Sequence, residues 1–300
     1  MKKLITAIVM AMCIAIGAIG LSSCSNGGES TSDIVVPTGL TGTVTADGSS
    51  ALLPLAQAAA DLLKDANPNI SITVNGGGSG TGIKDVAAGK VDIGNSDLFA
   101  EEKTDAVTAA TLVDHKVCIV VMAPIVNPEV TVASLTTAQL IQIFTGAVTN
   151  WKDVGGSDMN IVLCTRPSSS GTRALFTKYA LNGNSETAGA FESDNSGELL
   201  TKVKETKGAI GYMALSYLTD LSKAGVKKVK LNGVDASNEN AYSGTYSVWG
   251  YEHMYTKGEA TGLAKDFIEF MQGTEFGKKI EELGYGVSSK LTNTAINSHK

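Results

Sequence analysis

The chain has 300 residues, of which 43% are hydrophobic, and its formal net charge is −6. This apolar content supports a packed core, and the roughly 260 residues after the N-terminal region suffice for one large or two medium domains. The acidic balance, without a cluster of Lys and Arg, excludes nucleic-acid binding, because no patch could neutralise successive phosphates.

The N-terminal segment has the order of an export signal: the basic start MKK, an uncharged apolar run, and the small residues LSS before Cys24. We predict a lipoprotein signal peptide over 1–23, whose end resembles a bacterial lipobox. Cys24 would then carry lipid, including palmitate, and anchor the chain to the extracytoplasmic face of the membrane. The alternative is a transmembrane anchor, because the apolar run is nearly long enough to span a bilayer. Residues 24–40, rich in Ser, Gly and Thr, predict a flexible tether.

Beyond the tether, short β-rich runs alternate with helical patterns, which predicts an α/β fold with sheets flanked by helices. The predicted strands are 42–46, 70–74, 91–95, 116–123, 160–166, 208–213, 226–231 and, with a bend, 244–255. The predicted helices are 50–66, 80–89, 137–144, 171–181, 196–206, 262–273 and 275–284.

Three of the strand-to-helix passages place hydroxyls and glycines at a helix start: DGSSAL (47–52), NGGGSGTG (75–82) and RPSSSGTR (166–173). The first N–H groups of a helix lack intrahelical partners and lie at the positive end of its dipole, so they can bind an anion. Each passage alone could be a simple N-cap or a flexible turn, and Arg166 could pair with a surface carboxylate. Their recurrence favours one shared site for a tetrahedral anion, with Arg166 as its cation.

Asp97 follows the predicted strand 91–95 and could simply cap the segment after it. A second interpretation is that its carboxylate faces the anion. Phosphate near neutral pH keeps a hydrogen that a buried carboxylate can accept, whereas sulfate offers only another lone pair. Because a site built on such a hydrogen bond rejects the analogue without it, Asp97 would select phosphate.

Catalytic and metal-dependent functions find little support. The glycine-rich passage lacks the Gly-Lys-Ser/Thr of a nucleotide phosphate loop, and no Gly-x-Ser-x-Gly elbow occurs. Only three histidines exist, and we expect His299 to lie in a frayed tail. Cys118 and Cys164 lie in strand-like runs and predict buried free thiols, with a disulfide as the alternative. We therefore predict no catalytic residues, no metal and no cofactor.

Five segments occur in an order that resembles the phosphate-binding proteins of bacterial ABC phosphate importers: GSSALLPLAQAAADLL, NGGGSGTGIKDVAAGKVDIGNSD, LIQIFTGAVTNWKDVGG, RPSSSGTRALF and GAIGYMAL. The resemblance extends from about Thr43 to Ser289. It implies the type II periplasmic-binding-protein fold, in which two α/β lobes are joined by two crossing strands. The lobes would be 41–117 plus 244–300, and 118–243.

The resemblance also implies a function and a site. The chain would bind inorganic phosphate as a monomer and deliver it to the permease and ATPase subunits of the importer, without being an enzyme. The alternatives are another oxyanion, such as sulfate or molybdate, or a phosphate-ester hydrolase on the same scaffold. The ligand-binding residues carried over are Ser50, Ala51, Ser79, Asp97, Arg166, Ser170, Gly171 and Thr172.

One departure concerns the arginine. Many relatives carry an acidic residue shortly after it, but here those positions are Pro167 and Ser168. Arg166 would therefore present more of its charge to the anion or find another carboxylate.

Overall fold

The computed structural model of the protein describes residues 34–299. The predicted signal peptide, Cys24 and the first part of the tether lie outside these residues. Residues 34–40 form no helix or strand, but Ile34 and Leu40 pack against the hydrophobic core. The Leu40 N–H also donates to Oδ1 of Asn67 at 2.9 Å. The packed part of the chain therefore begins before the end of the predicted tether.

Strands and helices alternate along the described chain. The strands are β1 (Gly42–Gly48), β2 (Ile70–Gly76), β3 (Ile93–Ser96), β4 (Leu112–Val126), β5 (Ser134–Leu135), β6 (Val162–Thr165), β7 (Phe191–Glu192), β8 (Ala209–Ala214), β9 (Lys227–Lys228), β10 (Lys230–Leu231) and β11 (Trp249–Lys257). The helices are α1 (Leu53–Ala66), α2 (Ser79–Ala87), α3 (Ala106–Ala109), α4 (Thr137–Phe144), α5 (Gly171–Tyr179), α6 (Ser196–Glu205), α7 (Leu221–Ala224), α8 (Asn238–Ser243), α9 (Gly262–Gln272), α10 (Gly277–Glu282) and α11 (Asn293–Asn297).

The main sheet has the strand order β2-β1-β3-β11-β4-β8-β6-β7, and β9 also pairs with β4. Strands β1, β2 and β3 are parallel to one another, as are β6, β7 and β8. The long strands β11 and β4 lie between these two groups and pair antiparallel. We refer to residues 42–98 as the first half and residues 162–217 as the second half. The predicted α/β fold, with helices flanking a central sheet, is confirmed.

Burial follows the apolar pattern of each element. In α1, Leu55, Ala59 and Leu63 are buried at the three-to-four-residue spacing of one helix face. In β4, every residue from Val117 to Val126 is buried, which is typical of a central strand covered on both faces. The two long strands thus form the interior against which both halves pack.

The C-terminal third departs from the predicted elements. The segment predicted as one bent strand over 244–255 is preceded by α8, which was not predicted, and β11 begins only at Trp249. The pairing of β11 with β4 shifts register between Glu252 and His253, an irregularity of the kind that bends a strand. The predicted strand 226–231 is split into β9 and β10, which pair with different partners.

The expectation of a frayed tail at His299 was wrong. Its ring stacks on Trp249 with centroids 3.8 Å apart and lies 4.0 Å from the ring of Tyr179. Cys118 and Cys164 are free and buried, and burial raises the pKa of the Cys164 thiol to about 11. Within residues 34–299, none of the helices is long and apolar enough to cross a membrane.

Candidate functional site

A group of polar side chains is buried where the two halves meet, although polar side chains are ordinarily exposed. Each is at most 2% exposed: Ser50, Ser79, Asp97, Arg166, Ser170, Thr172 and Ser196. Six of these seven were predicted site residues. The structure therefore gathers side chains that are far apart in the sequence into one buried region.

Asp97 lies at the centre of the first set of contacts. Its carboxylate accepts hydrogen bonds from Ser79 Oγ at 3.1 Å and from Thr172 Oγ1 at 3.0 Å. Its own N–H donates to Ser79 Oγ at 3.0 Å. Because Ser79 begins α2 in the first half and Thr172 lies in the first turn of α5 in the second half, Asp97 connects the two helix starts.

Gly171 makes this connection sterically possible. A Cβ atom at this position would lie 2.2 Å from Ser79 Oγ and 2.9 Å from Asp97 Cβ. Only a residue without a side chain therefore lets α5 begin this close to the first half. The main chains also meet nearby, since the Gly80 N–H donates to the Ser169 carbonyl at 2.9 Å.

Arg166 lies at the centre of the second set of contacts. Its Nη1 donates to Ser196 Oγ and its Nη2 donates to Ser50 Oγ, each at 3.0 Å. The same Nη2 donates to the Asp194 carbonyl at 2.6 Å and lies 3.5 Å from the Asp194 carboxylate. Arg166 was expected either to present more of its charge to the anion or to find another carboxylate. The structure shows the second outcome, because Asp194 supplies that carboxylate.

The three helix starts are built differently in detail. In α5, Ser170 is the N-cap, and its Oγ accepts the Arg173 N–H at 3.2 Å. In α2, the N-cap is Gly78 and no side chain caps the helix. The first passage starts α1 later than predicted, at Leu53. The Ala51 N–H is bound by Ser49 Oγ at 3.1 Å.

Three further contacts lie within the site or at its rim. Ser50 and Ser196 lie 2.9 Å apart through their hydroxyl oxygens, and the Tyr217 hydroxyl donates to the Ser50 carbonyl at 2.7 Å. At the rim, Lys103 Nζ donates to the Ser168 carbonyl at 2.8 Å. Burial lowers the pKa of Lys103.

Ser196 and Asp194 are not among the predicted site residues. Ser196 is the first residue of α6, so a fourth serine-bearing helix start reaches the site. The sequence contained a signal for Ser196, since this helix was predicted to begin with Ser-Gly. The residue was overlooked because no glycine-rich turn precedes the helix. Asp194 had no signal of its own, because its proximity to Arg166 arises only from the fold.

Comparison with known proteins identifies the family of the chain. Residues 35–275 match the family model described as a PBP superfamily domain. The phosphate-binding protein PstS of Bacillus subtilis (strain 168) is 45% identical over 283 residues, which cover 93% of this chain and 91% of that protein. This chain belongs to the PstS family of phosphate-binding proteins.

Solved structures of similar proteins show which fold the chain has. A protein from Clostridium perfringens, described as a phosphate ABC transporter substrate-binding protein and solved with bound phosphate, is 32% identical with a TM-score of 0.74. That match covers 82% of this chain and 99% of the other. An ABC-type phosphate transport receptor from Vibrio cholerae is 26% identical with a TM-score of 0.64, over 82% and 100% of the two chains. The predicted type II periplasmic-binding-protein fold is therefore confirmed.

Proposed function

We propose that this chain binds inorganic phosphate outside the cytoplasm and delivers it to an ABC-type phosphate importer. One observation carries the proposal: the buried Asp97 carboxylate is held by hydroxyls from both halves, near the fully buried cation Arg166. A hydrogen-bearing tetrahedral anion suits both groups. Its oxygens accept from the arginine, and its P–OH donates to the carboxylate.

The remaining residues would complete a shell of neutral donors. Ser50 and Ser170 would offer hydroxyls, and Gly171 would offer a backbone N–H group. The hydroxyls of Ser79 and Thr172, which here donate to Asp97, and the Ala51 N–H, which here donates to Ser49 Oγ, would have to turn to the anion when it binds. Micromolar binding requires about −8 kcal/mol. Several charge-assisted hydrogen bonds of modest net value can provide that energy after desolvation.

The two halves would act as lobes that close on the ligand. We assign residues 41–117 plus 244–300 to one lobe and 118–243 to the other, with β4 and β11 as the crossing strands between them. The long antiparallel pairing of these strands supports a hinge at this position. Opening at the hinge would separate Thr172 from Asp97 and expose the ligand for transfer to the permease.

The proposed function includes attachment of the chain to the membrane and action without catalysis. Lipid on Cys24 would hold a monomeric receptor at the extracytoplasmic face of the membrane, where it meets the permease and ATPase subunits. The chain would act by binding alone, without catalysis.

Titration calorimetry with phosphate, sulfate and molybdate, on protein stripped of bound ligand, tests this function. We expect tight binding of phosphate and rejection of sulfate. Asp97→Ala should reduce the preference for phosphate over sulfate sharply, because the acceptor for the P–OH is gone. Preferential binding of sulfate or molybdate by the unmodified protein would contradict the proposal. Turnover of a chromogenic phosphate ester that Ser170→Ala abolishes would indicate the hydrolase instead.

A further inference from the structure

Glu252 is a fully buried carboxyl group that is not among the residues of the proposed phosphate site. It lies in β11, beside the register shift and opposite Cys118 of β4, and it is 0% exposed. Its position is therefore within the strand pair that lies between the two halves.

The side chain of Glu252 has an unusual environment. Among residues 34–299, no N–H or O–H group donates to either of its carboxyl oxygens. His253 lies opposite Ser96 in the pairing of β11 with β3, which places Glu252 beside Asp97, and the two carboxyl groups interact. An ionised carboxylate without donors in a dry interior is very unfavourable, and a second negative charge beside it increases the cost.

The two carboxyl groups differ in their partners. Asp97 accepts hydroxyl hydrogens from Ser79 and Thr172, and such donors favour the ionised form. Burial, and then the neighbouring Asp97 charge, raise the pKa of Glu252 well above its usual range. When two interacting carboxyl groups share a site in this way, one proton belongs to the pair, and Glu252 is the member without hydrogen-bond donors.

The other titratable groups that interact with Glu252 are neutral near pH 7. Burial raises the pKa of the Cys118 thiol well above its usual range, raises that of Tyr217 to about 12 and raises that of Tyr285 well above its usual range. The Tyr217 and Tyr285 hydroxyls donate to the carbonyls of Ser50 and Ala51. Glu252 is thus left with Asp97 as the acceptor for its proton.

We propose that Glu252 is a positioning residue that remains protonated in the folded protein and donates a hydrogen bond to Asp97. The role of Asp97 toward the ligand rests on the proposed function. Through this bond, Glu252 holds Asp97 as a single ionised acceptor that requires a hydrogen on the anion. Without the bond, the Asp97 carboxylate would be held less firmly toward the ligand, and sulfate, which has no hydrogen to give, would be rejected less strongly.

Two substitutions separate hydrogen bonding from shape. Glu252→Gln keeps a donor of the same size, and Glu252→Leu keeps a similar volume without a donor. In calorimetry on ligand-stripped protein at neutral pH, Glu252→Gln should stay within about threefold of the unmodified protein for phosphate. Glu252→Leu should weaken phosphate binding about tenfold or more and lower the phosphate-to-sulfate affinity ratio.

Infrared difference spectroscopy provides a readout that needs no ligand. At about pH 9, where Glu186 is ionised because its pKa is about 7, the unmodified protein should show the C=O band of a protonated carboxyl group, and Glu252→Gln should lack it. Absence of that band would overturn the proposal, as would wild-type affinity and selectivity in Glu252→Leu, or equal losses in both variants. If the unmodified protein binds no phosphate, the proposed function fails, while the infrared band still tests the protonation of Glu252.

Discussion

Arg166 bonds the backbone carbonyl of Asp194 at 2.6 Å and lies 3.5 Å from the carboxylate of the same residue. The carboxylate is further bound by Ser169 Oγ at 2.8 Å. A buried guanidinium needs hydrogen-bond acceptors and a counter-charge, and both come from a residue 28 positions away. The charge of the arginine is therefore shared between Asp194 and the anion that we propose for the site.

Asp194→Asn should strengthen phosphate binding. The substitution keeps the shape and the backbone contact to Arg166 but removes a negative charge near the anion. We expect the dissociation constant to fall about three- to tenfold at low salt and to depend more steeply on ionic strength. Calorimetry over a salt series measures both effects.

Glu269→Gln is the matched control, because it makes the same change of charge on the exposed face of α9, where Glu269 is 61% exposed beside Lys265. It should leave binding unaltered. Equal or weaker binding in Asp194→Asn, with an unchanged salt slope, would contradict the assigned role of Asp194.

Gly171→Ala should block closure of the site. The added methyl group would overlap Ser79 Oγ, at 2.2 Å, and approach Asp97 Cβ at 2.9 Å, so the two halves could not meet as they do here. We expect phosphate affinity to fall by about a hundredfold or more, because the donors of α5 could not reach the anion.

Gly277→Ala provides the control for that substitution. Gly277 is likewise the first residue of its helix, and a Cβ there meets nothing within 4 Å. This variant should bind normally and gain up to about 1 kcal/mol of stability, as measured by chemical denaturation. Normal phosphate affinity in Gly171→Ala would show that the close approach is not needed for binding.

Glu186 should make stability depend on pH. Burial raises the pKa of its carboxyl group to about 7, against the opposing effect of Arg173. Because the folded chain holds this proton more tightly than the unfolded chain, the stabilisation is complete below about pH 4.5 and is lost as the pH rises to about 7. Glu186→Gln should remove that part of the decline in melting temperature between pH 4.5 and 7.

Glu192→Gln tests whether the effect belongs to burial. Glu192 also faces Arg173, at 3.7 Å, but its side chain is 51% exposed. Its replacement should leave the slope of melting temperature against pH as in the unmodified protein. The assignment of the slope to Glu186 fails if both variants flatten it equally.

Local pattern was sufficient for much of the fold. Helix α4 was predicted with its observed bounds, 137–144, because its apolar spacing is regular and the Thr136–Gln139 capping box fixes its start. Helix α8 was missed because it is a short polar segment, NENAYS, without an apolar face. Residues 226–231 were read as one strand because their apolar alternation does not reveal that the pairing partner changes.

The site was predictable where it is built from strand-to-helix passages that carry hydroxyls and glycines. Arg166 directly follows a strand, and Ser79 and Gly171 begin helices, so their chemistry is visible in the sequence. The roles of Asp194 and Glu252 depend instead on their proximity to Arg166 and Asp97, which arises only in the folded chain. Glu252 is an acidic residue in a strand pattern, and only its burial beside Asp97 reveals a role.

The contact between Lys103 and Ser168 at the rim has a practical consequence. The Ser168 side chain is exposed, while the bond from Lys103 is made to its backbone carbonyl, so a cysteine at 168 would leave that bond in place. Both described thiols are buried, so among residues 34–299 a maleimide dye would react selectively at the new position. Its fluorescence would report whether the two halves are closed at the rim of the site. The labelled chain would then be an optical sensor for its own ligand.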